Sequence, residues 1–180
     1  MSNQERTRAA HGTGEWAAAN VNIQSGCEHD CKYCYAKQFA IRFERATVDS
    51  WREPVINGKA LKKRFMKRKG TQMVPSSHDI TPANLTECRD VLVRLVKAGN
   101  RVLIVTKPHE AVVRDLCEAL SDYRDQVLWR FTIGSADDDV LSYWEPGAPS
   151  FGERLRALKL AFDQGYATSI SCEPILDENI

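Results

Sequence analysis

Apolar and polar positions along the chain follow two periods, and together they predict a succession of strands and helices. The segment NVNIQ (20–24) alternates apolar and polar residues, which is typical of a half-buried strand. Beyond Gly70 four more runs rich in β-branched and aliphatic residues predict further strands. These runs are TQMVPSS (71–77), RVLIVTKP (101–108), QVLWRFTIGS (126–135) and ATSISCEPIL (167–176).

Residues at helical spacing separate these strands. The first stripe predicts a helix that begins at Thr81 as N-cap and ends before Gly99. A second helix covers the apolar positions within 112–120. Ser150 and Glu153 have the spacing of a capping box and predict the start of a third helix.

Regular alternation of strands and helices predicts a parallel sheet with right-handed crossovers. Five strands without a Gly-rich phosphate loop after the first favour an α/β fold of the partial (β/α) barrel type, with helices outside; a Rossmann sheet is the alternative. We assign residues 1–19 to an N-terminal leader and 20–180 to one barrel core. In a barrel the functional groups lie at the C-terminal ends of the strands. Here those ends are 25–26, 76–79, 106–107, 132–135 and 172–173.

Composition narrows the class of protein further. The 25 basic and 24 acidic residues give a net charge of +1, so no global attraction to nucleic acid or acidic lipid is expected. No apolar run approaches the length of a membrane span, and the polar N-terminus lacks the apolar region of a secretory signal. We therefore expect a cytoplasmic protein without a membrane partner.

One segment departs from this balance of charge. Residues 59–69 contain seven basic side chains and no acid, a composition that can contact a phosphate backbone. Leu61, Phe65 and Met66 lie at helical offsets within it. This spacing favours a solvated helix with an apolar underside, with nucleic-acid contact as the alternative.

The cysteines point to a metal site. Cys27, Cys31 and Cys34 lie within GCEHDCKYCYA (26–36), ahead of a predicted helix over 35–44. Three thiolates this close repel one another unless a metal neutralises them. On a four-iron cluster they leave one iron open, whereas electron-transfer ferredoxins close all four. Zinc is the alternative, with His29 in the same loop, but zinc requires four ligands.

The spacing C-x3-C-x2-C, with an aromatic residue before the last cysteine and on the first loop of a partial barrel, resembles the radical S-adenosylmethionine superfamily. Within it, the GCxHxCxYCYA context, the strand ending in Thr106–Lys107 and the strand WRFTIGS are most similar to the spore photoproduct lyase-related branch. The resemblance covers residues 15–176. Related proteins continue past the fifth strand, so we expect a C-terminally truncated member.

The resemblance implies a [4Fe–4S] cluster on the three cysteines and S-adenosylmethionine on its open iron. Reductive cleavage would give a 5′-deoxyadenosyl radical that abstracts hydrogen from a substrate, with a nucleic-acid lesion as the suggested class. An electron donor of the flavodoxin or ferredoxin type is then expected. A non-catalytic iron–sulfur or zinc-binding fragment, with a scaffolding or nucleic-acid-binding role, is the alternative.

The resemblance also assigns residues to S-adenosylmethionine. Tyr33 would lie near the adenine and Lys107 would pair with the carboxylate. Thr132 would contact a ribose hydroxyl, and Glu173 would lie beside the adenosyl group. Ser76 or Ser77 would meet the amino group, although this strand end reads PSSHD where many members have Gly-Gly-Glu. Cys172, near the predicted barrel mouth, is a weak candidate for a catalytic hydrogen donor.

Overall fold

The computed structural model describes residues 12–178, and these residues contain seven strands. The strands are β1 (Ala19–Asn20), β2 (Gln24–Ser25), β3 (Val55–Ile56), β4 (Thr71–Val74), β5 (Arg101–Thr106), β6 (Val127–Thr132) and β7 (Ala167–Ser171). β1, β4, β5, β6 and β7 are adjacent in that order, and every pair is parallel. β2 and β3 form a separate antiparallel pair. The predicted α/β fold, a five-stranded parallel sheet with helices around it, is confirmed.

Six helices accompany the strands in this part of the chain: α1 (Tyr35–Arg42), α2 (Gly58–Leu61), α3 (Leu85–Lys97), α4 (Glu110–Ala119), α5 (Asp138–Trp144) and α6 (Phe151–Asp163). α3, α4 and α6 lie in the crossovers between successive parallel strands, and α4 packs against α6. The backbone N–H of Glu153 donates to the Ser150 side chain at 3.3 Å, as the predicted cap requires. None of the described helices has the length and apolarity needed to cross a membrane.

The hydrophobic core lies between the sheet and these helices. Trp129 and Phe131 of β6 are fully buried, and their rings stack with centroids 5.3 Å apart. Cys88 and Cys117 lie in the same core, as their places on apolar helix stripes predict. Truncating Trp129 to alanine would cost about 3–5 kcal/mol of stability, because it would open a cavity in this layer.

The first predicted strand is shorter than its sequence pattern suggests. Only Ala19 and Asn20 pair with β4, after which side chains replace the strand ladder. The Asn22 carboxamide oxygen accepts from the backbone N–H of Ser76 at 2.7 Å. The backbone N–H of Ile23 donates to the ring of His78 at 3.1 Å. These bonds draw the chain away from the sheet and toward the C-terminal strand ends.

Two helix predictions are wrong in detail. The helix predicted from Thr81 begins at Leu85, because Asn84 accepts from the Thr81 backbone N–H at 3.0 Å and closes a turn first. The helix predicted over 59–69 is limited to α2, which Asn57 caps. Like charges at i and i+4 destabilise a helix, and this segment has no acid to offset them. The predicted leader, 1–19, lies outside the described residues up to position 11.

Candidate functional site

The cysteine loop begins directly after β2 and is held by backbone contacts. Gly26 has φ +88°, and a Cβ there would lie 2.7 Å from the carbonyl oxygen of Trp51. The backbone N–H of Cys27 donates to that same oxygen at 2.9 Å. At the other end the Cys34 sulfur caps α1, accepting from the backbone N–H of Lys37 at 3.4 Å. The loop is therefore fixed at both ends by the protein itself.

A cavity of about 1080 Å³ opens at the C-terminal ends of the parallel strands, and the cysteine loop forms one of its walls. All three cysteines of the loop line it. Cys172, by contrast, is half-buried and is not among the lining residues. The other residues that the sequence assigned to S-adenosylmethionine also line this cavity; they are Tyr33, Ser76, Ser77, Lys107, Thr132 and Glu173. Their individual roles stay predictions.

Burial governs the chemistry of the thiols. It raises the pKa of Cys27 to about 12, with a further contribution from the nearby Asp79 carboxylate. It also raises the pKa of Cys31 to about 11, partly offset by the positive charge of Lys107. Both thiols are consequently protonated at neutral pH unless a metal displaces the proton. The donor set, three cysteine sulfurs facing one cavity, fits an iron–sulfur cluster with one iron left open.

Asp79 lies in the strand end 76–79, where the sequence favours a turn residue over a metal- or proton-binding one. Its carboxylate accepts from the Thr106 hydroxyl at 3.1 Å and from the Lys107 backbone N–H at 2.8 Å. The Lys107 ammonium lies 3.3 Å from the same carboxylate, and His29 lies 2.9 Å from it. Burial alone would raise the pKa of Asp79, but Lys107 and His29 hold it well below its usual range. The one available signal was its place in a polar strand end.

The same carboxylate keeps Lys107 charged. Burial would lower the pKa of Lys107, yet Asp79 and the surrounding acidic groups raise it well above its ordinary value. The ammonium also lies 5.9 Å from the centroid of the Tyr33 ring, so it faces the cavity beside the cysteine loop. An ammonium has three donors, and one contact with Asp79 leaves capacity for an anionic ligand.

Donor atoms of Cys27, His29 and Asp79 lie within 4.8 Å of one another, and all three residues are buried. This is a possible mononuclear metal site and matches the zinc alternative. The His29 nitrogens are already occupied, however, by Asp79 at 2.9 Å and by His109 at 3.1 Å. A metal there would displace an existing network, whereas the three cysteine sulfurs make no comparable set of bonds among the described residues. Cys31 and Cys34 lie outside this group of donor atoms and line the cavity instead.

A second group of buried polar side chains, which the sequence analysis did not predict, contacts the cysteine loop through Tyr33. The Tyr33 hydroxyl donates to the Glu145 carboxylate, which is paired with the fully buried Arg154. The Arg154 guanidinium also donates to the backbone carbonyls of Pro149 at 2.8 Å and Thr132 at 3.2 Å. We call Glu145 and Arg154 the buried ion pair. It connects the loop to the end of β6.

The backbone of the same segment contacts the loop directly. The backbone N–H of Lys32 donates to the carbonyl oxygen of Trp144 at 2.8 Å, and the backbone N–H of Gly147 donates to the carbonyl oxygen of His29 at 3.1 Å. A Cβ at Gly147 would lie only 2.4 Å from the carbonyl oxygen of Glu28. One signal for this support was present in the sequence, because Arg154 occupies an otherwise apolar face of its helix.

Of the polar residues at the remaining strand ends, the two serines after β4 are bonded to Asn22. Its side chain donates to the Ser76 hydroxyl at 3.0 Å and accepts from the Ser77 backbone N–H at 3.1 Å. Thr132 is nearly buried and gives its carbonyl oxygen to Arg154, while Glu173 is exposed. Ser76 is therefore committed to a structural bond in this structure, whereas Glu173 is accessible.

Fold and site together define the class: a partial (β/α) barrel whose first loop brings three cysteines to a cavity at the C-terminal strand ends. The chain belongs to the radical SAM superfamily, whose sequence profile matches residues 21–178. The predicted family is thus confirmed.

Two known proteins are similar to this chain. It is 32% identical to the uncharacterized protein ORF301 of Acidianus two-tailed virus over 176 residues, which is 91% of this chain and 57% of that protein. Its fold is similar to that of a spore photoproduct lyase mutant with a dinucleoside spore photoproduct, with a TM-score of 0.61 and 21% identity. That comparison covers 89% of this chain and 46% of the lyase chain. The predicted relation to the lyase branch is supported at the level of the fold.

Proposed function

We propose that this chain is the core of a radical S-adenosylmethionine enzyme, in which Cys27, Cys31 and Cys34 hold a [4Fe–4S] cluster. The observation that carries the proposal is the convergence of these three sulfurs and the Lys107 ammonium on one cavity. When bound, the cluster and S-adenosylmethionine supply reductive cleavage of a sulfonium C–S bond, which yields a 5′-deoxyadenosyl radical that abstracts hydrogen from a substrate.

The chain's own residues would bind and orient the cofactor. Lys107, held charged by Asp79, would pair with the carboxylate of the methionyl group. Tyr33 would contact the adenine while its hydroxyl stays bonded to Glu145. Burial is the main cause that raises the pKa of Tyr33, which keeps its hydroxyl a neutral donor. Thr132 and Glu173 would face the ribose and the adenosyl group.

The fold similarity to spore photoproduct lyase suggests a nucleic-acid lesion as the first substrate class to test. We also propose an electron donor of the flavodoxin or ferredoxin type and a cytoplasmic location. A mononuclear zinc site at Cys27, His29 and Asp79, in a non-catalytic scaffold, is the second candidate, since these donor atoms already lie together.

The test is anaerobic reconstitution with iron and sulfide, followed by dithionite reduction and chromatographic detection of 5′-deoxyadenosine with added S-adenosylmethionine. Wild type should bind about four irons per chain and form 5′-deoxyadenosine. The variant Cys27→Ala, Cys31→Ala, Cys34→Ala should do neither, while Cys88→Ala, altered only in the core, should match wild type. Zinc without iron in the wild type would favour the scaffold and refute the enzyme.

A further inference from the structure

A strongly basic segment crosses the outer side of the fold. We call residues 62–69, KKRFMKRK, the basic strap. Its six basic side chains are all exposed, and none forms an ion pair with another described residue. No acid occurs between Glu53 and Asp79 in the sequence. The strap therefore presents a concentration of uncompensated positive charge on a chain whose net charge is only +1.

Two side chains of the fold hold the backbone of the strap in place. Arg94 donates to the carbonyl oxygen of Lys63 at 3.0 Å. The buried Asn100 accepts from the backbone N–H of Arg68 at 2.9 Å and donates to the carbonyl oxygen of Met66 at 3.2 Å. Because these bonds fix the backbone, the positions of the charged side chains are largely set before an anion binds. Binding therefore orders little additional chain.

A groove of about 140 Å³ lies against the strap. Lys63, Arg64 and Arg68 line one side of it, and Gln72 and Asn100 line another. Gln72 is 2% exposed, and its amide nitrogen has no hydrogen-bond partner among the described residues. A buried donor without a partner is rare in a folded protein. Because three cationic side chains line the same groove, an anionic oxygen is the acceptor that best suits the Gln72 amide nitrogen.

The groove is separate from the cysteine cavity. Successive residues of a strand point to opposite faces of the sheet. Met73 of β4 lines the cavity, whereas its neighbour Gln72 lines the groove. Asn20 of the edge strand β1 is the one residue that lines both sites. Since they share no other lining residue, a ligand in the groove leaves the cofactor cavity free.

We propose that the groove binds a phosphate group of a nucleic-acid backbone and that the basic strap contacts the neighbouring phosphates. Its volume is several times the roughly 30 Å³ share of one water molecule, which suits a phosphate group. Eight residues span at most about 26 Å, enough to pass several phosphates, since each strand of a duplex carries one per roughly 3.4 Å of helix axis. The inference goes beyond the proposed radical chemistry and requires neither cluster nor S-adenosylmethionine.

The strap is less suited to a membrane surface. It forms no amphipathic helix, and Phe65 packs against the core. Met66, 76% exposed, is the one large apolar side chain that the strap offers to a bilayer. Interfacial binding requires a continuous apolar face as well as positive charge, so a phosphodiester backbone is the better partner.

The test is fluorescence anisotropy of labelled single-stranded and duplex oligonucleotides, DNA and RNA, over a series of salt concentrations without reductant or S-adenosylmethionine. The variant Lys63→Gln, Arg64→Gln, Arg68→Gln should bind single strands at least about tenfold more weakly. Its log–log salt slope should be smaller by about 2, since each lost phosphate contact contributes about 0.7. Circular dichroism should show an unchanged fold, because the three altered side chains are exposed.

The control variant Arg89→Gln, Arg114→Gln, Lys159→Gln loses the same charge elsewhere on the surface and should bind as wild type does. Gln72→Leu should weaken binding several-fold without lowering the thermal midpoint, because the amide nitrogen that it removes has no hydrogen-bond partner among the described residues. Equal losses in the strap and control variants, or wild-type binding by the strap variant, would overturn the proposal. Binding to phosphatidylserine vesicles in place of oligonucleotides would overturn it in favour of a membrane. A chain inactive toward S-adenosylmethionine that still binds nucleic acid would refute the proposed function alone.

Discussion

The buried ion pair behind the cysteine loop gives the sharpest prediction about stability. Arg154 and Glu145 are 0% and 1% exposed, so neither charge has access to water. Arg154→Met removes the cation and the donors to the carbonyls of Thr132 and Pro149. It also leaves the Glu145 carboxylate buried without a counter-ion. Glu145→Leu likewise leaves the Arg154 guanidinium buried without a counter-ion.

The magnitudes follow from this burial. Breaking a buried pair from one side costs about 3–5 kcal/mol, a large part of the roughly 5–15 kcal/mol that stabilises a domain. The double variant Arg154→Met, Glu145→Leu contains neither charge and should lose only about 1–3 kcal/mol, because the Tyr33 hydroxyl then lacks its acceptor. The coupling energy between the two positions should therefore be at least about 3 kcal/mol.

The assay is guanidinium unfolding of the metal-free protein under anaerobic, reducing conditions, followed by circular dichroism. Adding Tyr33→Phe to the double variant should recover about 1 kcal/mol, because it removes the unpaired hydroxyl. Iron bound after reconstitution should fall in the double variant, since Tyr33 directly precedes Cys34. Single variants whose effects add within about 0.5 kcal/mol would refute the reasoning, and so would an Arg154→Met protein as stable as wild type.

Three further predictions follow from the same region. Gly147→Ala should lower the thermal midpoint and the amount of bound iron, because its Cβ would lie 2.4 Å from the Glu28 carbonyl oxygen. The expected cost in stability is about 1–3 kcal/mol. The control Gly152→Ala, whose Cβ would meet only an Arg side chain at 3.5 Å, should match wild type. Burial lowers the pKa of His78, so below about pH 6.5 the unfolded chain binds more protons than the folded one. The free energy of unfolding of the metal-free protein should thus fall from about pH 7 to 5, and fall less in His78→Gln, as denaturant titration at each pH would show. Lys107→Met removes the ammonium beside the buried Asp79 carboxylate, which keeps its contacts with His29 and Thr106. It should abolish binding of S-adenosylmethionine in calorimetry while costing about 1–3 kcal/mol in unfolding, and unchanged binding would refute its assigned role.

Local patterns in the sequence predicted the parallel strands and most of the helices that follow Gly70. Strands β5 and β6 are continuous apolar runs, and the glycine at 99 ends a helix with φ +80°. The patterns misjudged the chain where side chains satisfy the backbone in place of a ladder or helix. Asn22 ends the first strand, and Asn84 delays α3, through bonds that no periodicity encodes.

The candidate site also contains some residues that local sequence patterns predict and others that they do not. The cysteine spacing and the strand-end rule are local, and they singled out the three cysteines and Lys107, which the structure places around one cavity. Their roles as ligands stay predictions. Asp79, Glu145 and Arg154 were missed because their roles depend on partners far away in sequence. Tyr33 and Glu145 are separated by 112 residues, and His29 and Asp79 by 50. A carboxylate reads as a surface or turn residue until the buried cation beside it is known.

These distant contacts also explain how a short loop can hold three ligands in position in an open barrel. β1 and β7 are the two edges of the sheet, so the barrel wall alone does not enclose the cysteines. The loop is instead tied to Trp51 on one side and to the segment after α5 on the other. Because these contacts come from two different crossovers, the position of the loop depends on contacts distant in sequence as well as on its own residues. If the three cysteines hold the proposed cluster, the folded chain would present them to the metal already in place, so that metal binding would add stability to a site that the protein itself builds.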